Sequence, residues 1–354
     1  MLRSPLTTAQ LQRRIDAALG KIPCDTVLKR CHYLDVFSCD WRESDIGIID
    51  GAIVAVDEGL KGTRTIILKD KRVVPGFIDA HVHVESSLMV PSHFQGLTLP
   101  KGTTSVICDP HELTNVQGVS GLQYFLHESE RMEQDMYVML SSCVPSTHLE
   151  TNGGGTLYAK DLIPFMNHPK ALGLAEMMNV PGVLHKAQDV LEKLEAFSTR
   201  PIDGHSPLLR GQELSAYLST GISTCHESTQ LEEAREKLIK GMKVWIREGS
   251  VAKDLDALIP LLNVATSSSI GFCTDDRNPL DIYSEGHLDF LVRKAIAAGI
   301  PEAVAYRSSS WSVAQHYGLT KLGAVAPGFQ ADLAILSDSQ DCEVETVSKK
   351  GGPL

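Results

Sequence analysis

Residues 73–83 read VVPGFIDAHVH, an apolar run that ends in three ionisable side chains, Asp79, His81 and His83. The run has the length and apolar character of a buried strand. Because side chains alternate between the two faces of a strand, His81 and His83 point to the same face. Two imidazoles on one face at a strand end form half of a metal site. We therefore predict a strand that carries metal ligands at its C-terminal end.

The same pattern recurs over the following two hundred residues, where short apolar runs alternate with helical patterns. The further runs are TTSVICDPHE (103–112), MYVMLSSCVP (136–145), ALGLAEMM (171–178), RPIDGHSP (200–207), ISTCHES (222–228), KVWIREGS (243–250) and IGFCTDD (270–276). Eight strand–helix units in succession predict an α/β fold, specifically a (β/α)8 TIM barrel. A doubly wound sheet would have fewer strands, and no GxGxxG turn follows the first run.

The flanks of this region have a different texture. Apolar and polar residues alternate with period two between residues 25 and 71, and strand-like runs return towards the C-terminus in LGAVAPGFQADLAILSD, residues 322–338. We expect the two flanks to form one small β-sandwich-like domain, made of residues 25–72 and 319–354. The barrel, a metal-dependent hydrolase domain, is predicted over residues 73–318, and residues 1–24 are predicted to form an N-terminal helix.

Composition excludes several classes of function. The 354 residues include 33 Lys and Arg against 44 Asp and Glu, a net charge of −11, which argues against nucleic-acid or acidic-membrane binding. No uninterrupted apolar stretch approaches the ~18 residues of a transmembrane helix. The eight cysteines form no CxxC pair, so we expect reduced thiols and a cytoplasmic location.

Histidine and carboxylate side chains follow the predicted strands. In a barrel, the C-terminal ends of the strands converge on one mouth, where active sites form. The candidates for metal ligands are His81, His83, Glu176, His205, His226 and Asp275, and the second strand adds Asp109, His111 and Glu112. Imidazole and carboxylate donors suit Mn, Fe, Zn or Co. Taken singly, each histidine could be a packed core residue and Glu176 could form a rim salt bridge; their shared strand-end position favours a metal centre.

The stretch VVPGFIDAHVHVESSLMVPSHF, residues 73–94, resembles the opening of the amidohydrolase superfamily barrel. In chain order, SSCVPS, GLAEMMNVPGV, DGHSP, CHES, REGS, CTDDRNP and SEGHLD resemble the bacterial adenine deaminase family. This resemblance implies hydrolysis of adenine to hypoxanthine and ammonia for purine salvage. It also implies two divalent ions, Mn²⁺ or Fe²⁺ with Zn²⁺ as a further candidate. His81 and His83 would bind one ion, His205 and His226 the other, and Glu176 would bridge them.

The resemblance also suggests roles for the remaining residues. The catalytic set would be Asp275, which handles the proton of the attacking water, with Glu176, His111 and Glu112 as candidates for protonating a ring nitrogen. The substrate-binding set would be Glu85, Ser86, Asp109 and Asp276. The expected partner is a purine base, and the expected assembly is a homo-oligomer.

Two alternatives stay open at this point. One is another amidohydrolase-superfamily activity, hydrolysis of a cyclic amide, because a fold does not fix its substrate. The other is an inactive barrel, because family members carry a further C-terminal domain that this sequence does not include.

Overall fold

The computed structural model describes residues 5–69, 71–150 and 153–352. Within them the strands, numbered β1 to β15, are Cys24–Asp35, Asp40–Ile49, Ala52–Asp57, Gly62–Ile67, Arg72–Pro75, Phe77–Val82, Thr103–Cys108, Asp135–Leu140, Ala171–Met177, Ile202–Gly204, Thr224–Cys225, Lys243–Arg247, Ile270–Cys273, Leu333–Asp338 and Glu343–Ser348. The helices, α1 to α14, are Thr8–Ala18, Pro91–Thr98, His111–Gln117, Val119–Arg131, Ala159–Leu162, Val180–Leu184, Gln188–Ala196, Gly211–Leu218, Leu231–Ile239, Leu255–Leu258, Pro279–Ser284, Leu288–Ala297, Glu302–Ser308 and Trp311–His316.

The N-terminal helix α1 begins with a capping box. The Thr7 hydroxyl accepts the amide of Gln10 at 3.2 Å, and the Gln10 side chain accepts the amide of Thr7 at 3.0 Å. These two bonds satisfy helix-end amides that would otherwise lack partners. Of the predicted segment 1–24, residues 1–4 lie outside the described residues, and the helix occupies Thr8–Ala18.

Strands from both ends of the sequence share one mixed sheet. Its order is β15-β14-β5-β1-β2-β3, with β4 paired to β1. Strand β14 runs antiparallel to β5, with Leu333 opposite Pro75 and Leu336 opposite Arg72. Strand β5 covers the boundary predicted at residues 72 and 73, so the polypeptide leaves this sheet at Gly76. A Cβ at Gly76 would lie 2.3 Å from the Thr104 hydroxyl, which explains the glycine.

The strands from β6 to β13 are parallel and give the chain its α/β character. Five of them pair in the order β10-β9-β8-β7-β6, and three pair as β11-β12-β13. The contacts that link these sheets include a parallel bridge between Val82 and Asp275 and a hydrogen bond from the Ser223 amide to the Ile202 carbonyl at 3.0 Å. The parallel sheet is therefore curled, and its strand ends face one another.

Burial explains the composition of these strands. Every residue of β6, β7, β8 and β9 is buried, because helices cover the outside of the sheet and side chains fill its inside. Glycine permits the closest approach of two strands, since a Cβ at Gly173 would lie 2.0 Å from the Pro201 carbonyl oxygen. None of the helices in the described part of the chain has the length and apolarity that crossing a lipid bilayer requires.

Candidate metal centre

The six side chains predicted as metal ligands lie together at the C-terminal ends of the parallel strands. His81 belongs to β6 and Glu176 to β9, whereas the other four, His83, His205, His226 and Asp275, come one or two residues after their strands. Five of the six are buried, and His205 is partly exposed. The curl of the sheet brings together groups that are up to 194 positions apart in the sequence.

Glu176 lies between two pairs of imidazoles. Its Oε1 is 3.3 Å from His83 Nε2 and 3.8 Å from His81 Nε2. Its Oε2 is 2.6 Å from His205 Nδ1 and 3.3 Å from His226 Nε2. Burial opposes ionisation of Glu176, but His205 and His226 outweigh it and hold the pKa of this carboxyl well below its usual value. An ionised carboxylate with one oxygen toward each pair can bridge two cations.

His81 and His83 converge on one point, as the alternation of strand side chains predicts. Their Nε2 atoms are 3.0 Å apart, and Asp275 Oδ1 lies 3.7 Å and 3.2 Å from them. The His81 ring stacks on His226 with centroids 3.9 Å apart. Burial, with His226 and His83 nearby, lowers the pKa of His81 well below its usual value, which favours the neutral imidazole that a metal requires.

The donor set fits a divalent metal. Ligand atoms within 4.8 Å of one another form groups such as His81, His83 and Asp275, and His81, Glu176 and His226. Nitrogen and carboxylate oxygen donors, without a thiolate, match Mn, Fe, Zn or Co. Several buried imidazoles next to two carboxylates would be costly in an apolar core, because buried polar groups require partners. A bound metal ion would supply such a partner.

Asp275 is held in an unusual backbone conformation. Its φ is +56°, a left-handed value that is costly for a residue other than glycine. The Asp275 amide donates to the His81 carbonyl at 3.0 Å, and the His83 amide donates to the Asp275 carbonyl at 3.1 Å. These bonds fix Asp275 to β6 beside both histidines. Burial opposes its ionisation, but the hydrogen bond from His83 and the charge of His226 hold the pKa of Asp275 well below its usual value.

Asp109 lies among the candidate ligands and is shielded from solvent. Its side chain is fully buried, accepts the Ser141 hydroxyl at 2.9 Å and pairs with His111 Nδ1 at 3.1 Å. Its carbonyl oxygen is 2.8 Å from His83 Nδ1. Asp109, expected to bind substrate, therefore contacts both His83 and His111, and it belongs to a group with His83, His111 and Glu176 that could hold a metal ion.

His111 and Glu112 begin helix α3 and are both partly exposed. His111 Nδ1 is 3.3 Å from Glu176 Oε1 and 3.1 Å from Cys143 Sγ, while its Nε2 is 3.4 Å from Glu112 Oε1. Glu112 Oε1 also accepts the Ser86 hydroxyl at 3.1 Å. The second strand thus adds an imidazole and a carboxylate at the edge of the metal centre.

Burial and neighbouring charges shift the pKa values of Glu85 and Glu112 in opposite directions. Burial, followed by the charge of Glu112, raises the pKa of Glu85 to about 8. Burial opposes ionisation of Glu112, but His83 and His111 outweigh it and lower the pKa of Glu112 to about 2. Glu85 Oε1 accepts the Leu113 amide at 3.2 Å. Asp276, also expected at the substrate, is an exposed residue that follows Asp275.

A buried lysine, which sequence reasoning missed, fixes the loops that carry His205 and His226. Lys237 Nζ donates to the Ser206 carbonyl at 2.7 Å and to the Ser228 hydroxyl at 3.0 Å. Glu233, four residues earlier on α9, compensates its charge at 2.6 Å, and both side chains are fully buried. In sequence, Glu and Lys at this spacing are typical of a solvent-exposed helix face, so the pattern gave no signal.

Two further residues also went unrecognised in the sequence. The Tyr217 hydroxyl donates to the Met177 carbonyl at 2.6 Å and accepts the His205 amide at 3.0 Å, which joins β9 to the His205 loop. Arg247, at the end of β12, donates to Asp275 Oδ2 at 2.9 Å. Arg247 could have been recognised in the sequence, because it is a charged residue at the end of the seventh predicted strand.

Comparisons with known sequences agree with this architecture. A model of the amidohydrolase family matches residues 72–354. The chain is 49% identical over 341 residues to an adenine deaminase of Sinorhizobium fredii and 48% identical over 341 residues to one of Brucella anthropi. Each alignment covers 96% of this chain and 60% of the relative, so the chain spans about 60% of the length of the curated relatives it matches.

Solved structures share the fold at low sequence identity. An enamidase has a TM-score of 0.69 at 15% identity, covering 92% of this chain and 94% of that one. An N-acetyl-D-glucosamine-6-phosphate deacetylase from Mycobacterium smegmatis has a TM-score of 0.67 at 17% identity, covering 92% and 99%. A zinc-bound adenosine deaminase from Xanthomonas campestris has a TM-score of 0.65 at 15% identity, covering 94% and 93%. With the family model matching most of its length, the chain belongs to the amidohydrolase family.

Proposed function

We propose that this chain carries the active site for hydrolytic deamination of adenine to hypoxanthine and ammonia. The observation that supports this most strongly is the 48–49% identity to curated adenine deaminases over 96% of the chain. The site geometry agrees, since it offers metal donors, an ionised carboxylate and an accessible rim at one opening. The solved neighbours named above are too distant to bear on the substrate.

We further propose that the eight parallel strands close into a complete (β/α)8 barrel. The bridge between Val82 and Asp275 on one side, and the Ser223–Ile202 hydrogen bond on the other, support closure. The mixed sheet of β1–β5, β14 and β15 would then be a separate β domain. On the family resemblance, we also propose a homo-oligomer in the cytoplasm, and sedimentation of the purified protein tests the assembly.

The centre is proposed to hold two divalent ions, Mn²⁺ or Fe²⁺ with Zn²⁺ as a further candidate. His81, His83 and Asp275 would hold one, His205 and His226 the other, and Glu176 would contribute an oxygen to each. Such ions supply Lewis acidity and lower the pKa of water near neutral pH. The two-sided position of Glu176, with each oxygen facing a different histidine pair, supports two ions over one.

Asp275 is proposed to move the proton that the reaction requires. Water adds to C6 of the base and loses a proton, and the exocyclic amine must gain one before it leaves as ammonia. Asp275 Oδ1 faces His81 and His83, so it can accept from the water oxygen and donate to the amine nitrogen. Such acid–base assistance contributes about 10²–10⁴-fold in rate.

The His111–Glu112 pair is proposed to supply the proton on the purine ring nitrogen, and it is restored by the second proton of the added water as the C6 oxygen becomes the carbonyl of hypoxanthine. That proton allows the ring to take up charge as C6 becomes tetrahedral. Glu176 is the other candidate, but imidazoles surround both its oxygens and its side chain is almost fully buried. His111 and Glu112 are more open to solvent and stand at the rim with Ser86. Glu85 and Asp276, on the same rim, are proposed to contact the purine, whereas buried Asp109 is proposed to orient histidines.

The test is ammonia release from adenine by the purified chain supplied with Mn²⁺, with a cyclic amide and a β-aspartyl dipeptide as comparison substrates. We expect adenine to be the preferred substrate and His205→Asn to abolish turnover. His127→Asn, a change at an exposed histidine on α4, is the matched control and should leave turnover unchanged. Metal bound to the chain without ammonia release from adenine would refute the proposed substrate.

A further inference from the structure

The guanidinium of Arg247 connects the ends of three neighbouring strands next to the metal centre. Its Nη1 donates to Asp275 Oδ2 at 2.9 Å and also to Glu227 Oε1. Its Nε and Nη2 both lie 3.0 Å from Asp254 Oδ2. Glu227 follows β11, Asp254 follows β12 and Asp275 follows β13. Arg247 is buried, so these contacts are shielded from solvent.

The two oxygens of Asp275 have separate partners. Oδ1 faces His81 and His83 at 3.7 Å and 3.2 Å, whereas Oδ2 accepts only from Arg247 among the hydrogen bonds described for this carboxylate. A carboxyl group rotates about its Cβ–Cγ bond unless one oxygen is fixed. The bond from Arg247 to one oxygen therefore fixes the plane of the Asp275 carboxylate, so that the other oxygen stays directed at the histidines.

We propose that Arg247 is a positioning residue that holds Asp275 with Oδ1 directed at His81 and His83. It also donates to Glu227 Oε1, and this oxygen lies 3.9 Å from His205 Nδ1 and 3.7 Å from His226 Nε2. One side chain thus contacts an acidic group beside each histidine pair. The part of this inference that concerns turnover rests on the proposed adenine deamination.

The geometry requires arginine and not simply a positive charge. A planar fork can donate to carboxylates on opposite sides at once, whereas the ammonium of lysine is a single point on a flexible stem. Asp254 binds Nε and Nη2 of the guanidinium, so that Nη1 is directed at Asp275 and Glu227. Loss of a group that orients metal ligands typically costs 10–100-fold in metal affinity or activity.

The experiment compares Arg247→Lys and Arg247→Gln with Arg277→Gln. Arg277 is a matched control because it is also buried but pairs with Glu285 and does not contact Asp275. We expect both Arg247 variants to lose 10–100-fold in kcat with adenine, with KM close to that of the parent, since Arg247 is buried and its side chain is engaged by Asp275, Glu227 and Asp254. We also expect a changed visible spectrum of bound Co²⁺. The control should keep the kcat and the Co²⁺ spectrum of the parent.

A parent-like kcat and Co²⁺ spectrum in Arg247→Gln would overturn the inference, as would equal losses in Arg277→Gln. If the Arg247 variants do not fold, Asp254→Asn provides a second test, because it weakens the contact that holds Nε and Nη2 of Arg247. We expect smaller losses of kcat and a smaller change of the Co²⁺ spectrum in this variant. A parent-like Co²⁺ spectrum in Asp254→Asn would overturn the inference. If the parent does not act on adenine, the proposed function fails separately. The Co²⁺ spectrum still decides the role of Arg247, because it requires no substrate.

Discussion

Replacing Asp135 by asparagine should destabilise the contact between the parallel strands and the returning C-terminal segment. Asp135 begins β8, and its Oδ1 accepts Lys170 at 2.8 Å, while its Oδ2 accepts Lys349 at 2.7 Å and Gln330 at 3.0 Å. Its side chain and that of Lys349 are nearly inaccessible. Burial opposes ionisation of Asp135, but Lys349, Lys170 and Lys350 outweigh it and hold its pKa well below the usual value.

The size of the effect follows from what remains after the substitution. Removing one partner of a buried ion pair costs about 3–5 kcal/mol when the other charge is left alone. Lys349 keeps Asp332 at 2.7 Å, Lys350 is half exposed, and Lys170 keeps its contact with the Tyr137 ring at 4.9 Å, so none of the three charges is left without a partner or solvent. We therefore expect a loss of about 2–3 kcal/mol in the free energy of unfolding at pH 7, which is less than the cost of a fully stranded charge.

The pH dependence has a definite sign. A carboxyl whose pKa is lower in the folded state stabilises the fold above its unfolded pKa of about 3.9 and loses this contribution as pH falls through the folded value. The difference between parent and Asp135→Asn should therefore be full at pH 6–7 and shrink below about pH 4.

Urea denaturation at pH 7 and at successively lower pH measures this difference directly. Asp16→Asn, which removes the exposed pair of Asp16 with Lys21, is the control and should cost no more than about 1 kcal/mol. An Asp135→Asn variant as stable as the parent at pH 7 would refute the reasoning. A difference that stays constant down to pH 3 would refute the electrostatic cause and leave only packing.

Three substitutions test the site and the sheet. Asp275→Asn should lower adenine turnover by at least ~10²-fold with bound metal retained, which metal analysis and ammonia release measure together; near-parent turnover would exclude Asp275 as the proton carrier. Glu176→Gln removes the charge between two histidine pairs and should lower metal affinity at least ~10-fold in equilibrium dialysis, an expectation that unchanged binding would contradict. Gly173→Ala places a Cβ 2.0 Å from the Pro201 carbonyl oxygen and should cost ~1–3 kcal/mol in thermal denaturation; a parent-like melting temperature would show that the strands can separate there.

The convergence of the strand-end residues was predictable because it depends on two short-range rules. Strand alternation puts His81 and His83 on one face, and parallel strands put their C-terminal ends at one edge. The structure has both histidines 3.0 Å apart and Glu176 beside them, as those rules require. The proposed assignment of each ligand to one of two ions rests on the family resemblance, which was inferred from the sequence motifs.

What could not be predicted depends on contacts between distant segments. Asp109 comes directly after its strand, as several candidate ligands do. Only the structure shows that its carboxylate accepts a hydrogen bond from the Ser141 hydroxyl. The left-handed backbone of Asp275 arises from hydrogen bonds to β6, nearly two hundred residues earlier. Glu233 and Lys237 are four residues apart, a spacing that occurs in ion pairs on exposed helix faces. Their sequence spacing therefore does not reveal that this pair is buried. In each case the environment of the residue is set by contacts that the nearby sequence does not indicate.

The pairing of β14 with β5 has a consequence for the order of events during protein synthesis. Residue 75 emerges from the ribosome 258 residues before residue 333, a delay of roughly 13–50 s at ~5–20 residues per second. Strand β5 can pair with β1 early, but its other edge has no partner during that interval. An unpaired strand edge is a template for association with other chains. Nascent chains should therefore be most prone to aggregate just before Leu333–Asp338 is made, when the parallel strands β6 to β13 are complete and this edge is still open.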